Sequence, residues 1–117
     1  MRLHPLTRLT RDEQTGQPIV ECRLEFQDSD SQTSKAIGQL TLQIYADSNT
    51  PTGSGALETW NQDLRDLQLN RRQYDDVTRT YLFRLQTTQP LPAGCELRAL
   101  FLSADGRRMS AEMRLRQ

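Results

Sequence analysis

The chain of 117 residues holds one histidine, one tryptophan, one lysine and two cysteines. His4, alone near the chain start with no G-x-S-x-G elbow in the sequence, gives no basis for a nucleophilic triad. A zinc centre needs several histidine or cysteine ligands close together, and none cluster here. No G-x-x-x-x-G-K-[ST] or G-x-G-x-x-G run is present, so a glycine-rich phosphate cradle has no support. The chain also lacks a long apolar run, which excludes a helix that spans a bilayer. It has no excess of either charge, with 15 basic residues against 15 acidic. A general nucleic-acid binder or polybasic membrane anchor needs surplus positive charge, so neither role is expected. Fourteen of the basic residues are arginine, with Lys35 the only lysine, a bias that codon usage explains as well as carboxylate pairing does.

What is present is two-residue alternation. Cys95, Leu97, Ala99 and Phe101 alternate with Glu96 and Arg98; Met109, Ala111, Met113 and Leu115 alternate with Ser110, Glu112, Arg114 and Arg116. Asp105-Gly106 lies between the two runs, as in a tight hairpin turn. Ile19 to Gln27 reads as a strand with Val20, Cys22, Leu24 and Phe26 inward and Glu21, Arg23 and Glu25 outward. A further strand carries Leu40, Leu42, Ile44 and Ala46 inward against an uncharged outward face of Gln39, Thr41, Gln43 and Tyr45. Thr78 to Thr87 places Tyr81, Phe83 and Leu85 inward, with Thr80 and Arg84 outward. Leu3 to Arg11 is expected as one strand, although its leucines are three apart. Leu57, Trp60, Leu64 and Leu67 fall at helical spacing, but a short strand from Leu57 through Trp60 is expected, followed by an irregular or one-turn helical crossover to about Tyr74. About seven strands at this spacing, in a single domain over residues 1–117, describe an all-β fold. We expect a two-layer antiparallel β-sandwich, immunoglobulin-like or C2-like.

Leu3-His4-Pro5-Leu6-Thr7, Gly38-Gln39-Leu40-Thr41-Leu42, Trp60, Tyr81-Leu82-Phe83-Arg84-Leu85 and Ala104-Asp105-Gly106-Arg107-Arg108-Met109 together resemble a group of uncharacterised planctomycete proteins. Those are exported or lipid-attached and carry a β-sandwich domain. The resemblance implies a cell-envelope location with a lost targeting segment, and it carries over no catalytic residues. From the residues themselves, the polar start after Met1 shows no signal peptide. It fits a cytosolic protein and a mature exported segment equally well.

Few side chains invite chemistry. Asp28 and Asp30 share one loop and Asp75 and Asp76 precede a strand, so these are candidate calcium ligands. The spacing after Asp28 is not that of an EF-hand, and turn-forming aspartates account for both pairs. Tyr45, with Trp60 and Tyr74 as neighbours, is the candidate platform for a sugar, since flat rings with polar edges suit that contact. Cys22 and Cys95 fall on inward faces, 73 positions apart. They either bridge the sheets, as in immunoglobulin domains, or pack as reduced apolar residues. No tryptophan follows Cys22 at short distance and Ala93 stands where a tyrosine corner needs tyrosine, which favours the reduced state.

The outward charges Arg84, Glu96, Arg98, Glu112, Arg114 and Arg116 are expected to form cross-strand pairs. The functional expectation is a non-catalytic module of a bacterial envelope protein, without cofactor, whose partner is another protein. The alternative is a ligand-binding module for carbohydrate or calcium.

Overall fold

The computed structural model describes residues 1–27, 33–46, 55–88, 91–92 and 94–115; Asp28, Asp30 and Arg116 lie outside them. Among the described residues the elements are β1 (Arg2–Leu3), β2 (Arg8–Arg11), β3 (Pro18–Gln27), β4 (Thr33–Ser34), β5 (Gly38–Tyr45), β6 (Glu58–Asp63), α1 (Leu67–Gln73), β7 (Tyr74–Asp75), β8 (Thr80–Gln86), β9 (Glu96–Ser103) and β10 (Arg108–Arg114). Seven of these strands run four residues or more and three are two-residue segments. One antiparallel sheet is ordered β1-β3-β8-β7, with β2 and β4 also paired to β3; the other is ordered β10-β9-β5-β6. Of the seven longer strands, the first, second and fifth share one layer, and the third, fourth, sixth and seventh share the other.

The inner faces are those that alternation predicts. Val20, Cys22, Leu24 and Phe26 of β3 stand beside Tyr81, Phe83 and Leu85 of β8, and all are buried. Opposite them lie Leu40, Leu42 and Ile44 of β5 with Leu97, Ala99 and Phe101 of β9. Each large apolar side chain removed from water in this way contributes about 1.5–3 kcal/mol, enough to fix register against a one-residue slip. Phe26 and Phe101 meet across the layers at a ring separation of 4.7 Å. Gly38 faces Ser103 in the β5–β9 register; a Cβ there would stand 2.3 Å from the Leu102 carbonyl oxygen.

Several expectations are corrected. The strand expected over Leu3 to Arg11 is two strands separated by a turn. Pro5 cannot donate, the Leu6 N–H donates to His4 Nδ1, and the Thr7 N–H donates to the His4 carbonyl. Thr7 Oγ1 then takes the place of a backbone partner, accepting from Arg23 N at 3.0 Å and donating to Arg23 O. Leu3 is buried and Leu9 partly so on either side of the turn, while Leu6 is 59% exposed within it.

The crossover contains a seven-residue helix, longer than the single turn expected. Asp66 caps it, its carboxylate accepting from Gln68 N and Leu69 N. The buried residue of α1 is polar: Asn70 donates to the carbonyls of Ala36 and Leu64 and accepts from the Tyr81 hydroxyl at 2.7 Å. Leu67, by contrast, is solvent-exposed. Hydrophobic periodicity therefore carried no signal for this helix. Thr80, expected outward, is fully buried, because the 76–79 turn folds Thr78 and the Arg23 guanidinium over its hydroxyl. The second strand of the organising hairpin is also less committed than its alternation suggests. Met109, Ala111 and Met113 are only partly covered, since β10 is a sheet edge.

Tyr81→Phe should cost about 1–3 kcal/mol in urea unfolding, because it strands Asn70 Oδ1 and the Ala36 N–H that donates to the same hydroxyl. Gly38→Ala should cost at least about 3 kcal/mol, as the methyl group meets backbone that cannot yield.

Candidate functional site

The two outward surfaces of the sandwich differ in kind. On the layer built around β3, charges alternate across neighbouring strands. Arg2 pairs with Glu25 at 2.8 Å, Arg8 with Glu21 at 3.7 Å and Arg23 with Asp75 at 3.4 Å, while Arg84 stands opposite Glu21. Glu25 is buried beneath Arg2, with His4 Nε2 3.7 Å from its other oxygen. This face is an ionic ladder that keeps its carboxylates paired.

The outer face of the β10-β9-β5-β6 layer divides along its length. At one end Arg98 lies 3.4 Å from Glu96 and 3.9 Å from Glu112, its directly opposed neighbour on β10. At the other end the cross-strand rows are Asn61-Thr41-Leu100-Ser110 and Asp63-Gln39-Leu102-Arg108. Leu100 and Leu102 are 45% and 44% exposed. Ile37, 49% exposed, continues the strip beyond β5, its carbonyl accepting from Ala104 N. A shallow hollow of about 500 Å³ lies over these leucines, flanked by Gln39, Thr41, Arg108 and Ser110. Outward leucines on β9 are the feature that sequence reasoning passed over. Glu96 and Arg98 suggested a charged face, but the same parity continues into Leu100 and Leu102.

The three aromatic candidates are not brought together. Tyr45 does face outward on β5, but the Arg98 guanidinium covers its ring at 4.2 Å and its hydroxyl donates to Gln43. Trp60 projects from β6 on the inward parity, partly buried at the margin of the core, and its indole N–H donates to the Gln86 carbonyl. Tyr74 belongs to the other sheet, its ring set edge-on to Tyr81 at 5.0 Å with the Lys35 ammonium over it.

The carboxylates are similarly engaged. Asp75 accepts from Val77 N at 3.0 Å, and that backbone hydrogen bond is the main reason its carboxyl is held below the usual range. Asp12, Asp63, Asp66 and Asp105 each accept the N–H two residues on in the same way. These aspartates shape chain reversals. Asp76 is exposed beside Asp75, and no group of three potential metal ligands forms among the described residues.

Both cysteines are free thiols, so the bridge that sequence spacing left open is not made. Cys22 sits within β3 opposite Phe83, whereas Cys95 precedes β9, its carbonyl accepting from Leu115 N. Burial pushes the Cys22 thiol up to about 12 and raises that of Cys95 as well. A thiol so held is a poor nucleophile, because only the thiolate attacks.

No protein-family model, curated protein or solved structure matches the chain.

The thiols provide a direct check. Neither should react with a soluble disulfide reagent at pH 8 in the folded protein, and both should react in denaturant. The folded Cys22 keeps a proton that the unfolded chain releases from its ordinary value of 9.0 upward. Stability should therefore fall with rising pH above 9, at about 1.4 kcal/mol per pH unit from this thiol. Cys22→Ala should reduce that slope, whatever it costs at neutral pH.

Proposed function

We propose that this chain is a non-catalytic, immunoglobulin-like β-sandwich module of a bacterial envelope or exported protein, and that it acts by contact with another protein. The strand arrangement supports the immunoglobulin-like reading. Relative to the constant-type order, only the fourth long strand differs, pairing with the third instead of the fifth. The location follows the resemblance in residues 3–7, 38–42 and 104–109.

The observation that carries the contact role is the strip of Leu100, Leu102 and Ile37 set among Gln39, Thr41 and Ser110. It is apolar and framed by hydrogen-bonding groups, and the carboxylate in its cross-strand rows, Asp63 on β6, is paired with Arg65, a composition that the centre of a protein interface favours. An isolated exposed leucine needs no explanation, but a contiguous strip on an open sheet face does. Among the described residues, the rings of Tyr45 and Trp60 and the Asp75 carboxylate, which a sugar or calcium would use, are engaged within the chain instead.

A photo-reactive amino acid placed at Thr41 should yield a discrete protein adduct in cells, and the same residue at Arg84 on the charged face should not. Leu100→Glu with Leu102→Glu should abolish the adduct. Each change should shift stability by less than about 0.5 kcal/mol, since the leucines already face water. Equal labelling at both positions, or an adduct unaffected by the glutamates, would refute the proposal.

A further inference from the structure

β10 ends its sheet with a row of backbone groups that no described residue uses. Ser103 N donates to Arg107 O at one end of the β9–β10 hairpin, and Leu115 N donates to Cys95 O at the other. Antiparallel pairs alternate between hydrogen-bonded and non-hydrogen-bonded, so Met109, Ala111 and Met113 bond to Phe101, Ala99 and Leu97. The N–H and C=O groups of Arg108, Ser110 and Glu112 therefore point away from β9. No described strand lies beyond them. β1 approaches β10 from the other layer but pairs only with β3.

Exposed edges are ordinarily blunted by proline, a bulge, an inward-pointing charge, shortness or charged side chains along the edge. Of these devices β10 has only the charges, on Arg108, Glu112 and Arg114. It runs for seven residues in unbroken register with β9, and its inward side chains are Met109, Ala111 and Met113. What it carries is charge in a particular order. Arg108 forms no ion pair among the described residues, and the Glu112 carboxylate is 70% exposed, reaching Arg98 only at 3.9 Å.

We infer that β10 pairs antiparallel with β10 of a second copy of this chain, about a twofold axis through Ser110. Charge selects the register. With the axis at Ser110, Arg108 faces Glu112 of the second copy and the reciprocal pair forms by symmetry. Moving the axis to Ala111 opposes Arg108 to Arg114, and moving it to Glu112 opposes two carboxylates. In the Ser110 register the Arg108–Glu112, Ser110–Ser110 and Glu112–Arg108 pairs are all hydrogen-bonded pairs, so the free edge groups satisfy one another. On the inner side Met109 comes beside Ala111 of the second copy and covers apolar surface that each copy leaves partly open. The two four-stranded sheets become one continuous sheet. This pairing uses the sheet edge and stands independently of any contact made by the Leu100 strip.

Sedimentation velocity over a concentration series of the whole chain tests the inference, with circular dichroism reporting that each variant is folded. The parent should dimerise. Arg108→Glu and Glu112→Arg should each weaken the dimer about tenfold or more, and the double swap should restore it, because the ion pairs are reciprocal. Ser110→Pro should leave a folded monomer, as proline removes an N–H that the monomer does not use. Ser110→Cys should form an intermolecular disulfide on mild oxidation, since residues directly opposite in a hydrogen-bonded pair stand about 5.5 Å apart at Cα, within disulfide range. A parent that stays monomeric throughout overturns the inference. So does a dimer that survives Ser110→Pro or that the charge swap fails to restore.

Discussion

Tyr81 joins parts of the fold that strand pairing alone leaves separate. Its ring lies between the layers, edge-on to Phe26 at 5.7 Å and to Tyr74 at 5.0 Å, and parallel to Phe83 at 6.2 Å. Phe26 passes the contact on to Phe101 of the opposite sheet. At the same time the hydroxyl reaches the one polar group that α1 buries, Asn70, and accepts from the Ala36 backbone just before β5. One side chain thus joins the aromatic core, the crossover helix and the start of the second sheet. Burial raises its phenol above the ordinary range, so the hydroxyl stays protonated and able to donate to Asn70.

Where burial was purely apolar and periodic, the structure could be read from the residues. β3, β5, β8 and β9 alternate over most of their length, so their inner faces and register follow from the cost of exposing leucine and phenylalanine. Features resting on polar satisfaction could not be read this way. Nothing in the pattern of α1 marks Asn70 as its buried residue, and nothing marks Glu25 as a covered carboxylate under Arg2. The break after Leu3 depends on Thr7 substituting for backbone, a tertiary contact with Arg23 sixteen positions away. For the candidate residues, alternation placed Tyr45 outward as expected. It could not show that Arg98, two strand positions from Leu100 and across from Gln43, would lie on the ring.

The two outer faces give the molecule a direction. One side is closed by arginine-carboxylate pairs that cost little to leave in water. The other leaves leucines in solvent and a strand edge with unspent hydrogen bonds, which a solitary domain gains nothing by keeping. Five of the described aspartates hold turns or cap α1. The proposed association draws on this face and this edge, while the buried thiols serve the interior and His4 lies 3.7 Å from Glu25.

The central claim is that the two sheets meet face to face through their aromatic inner surfaces. Through-space proton contacts in solution measure this most directly. The account predicts strong cross-peaks between the rings of Phe26 and Phe101, whose centroids are 4.7 Å apart, with weaker ones from Phe26 to Tyr81. A folded protein lacking the Phe26–Phe101 contact would contradict it.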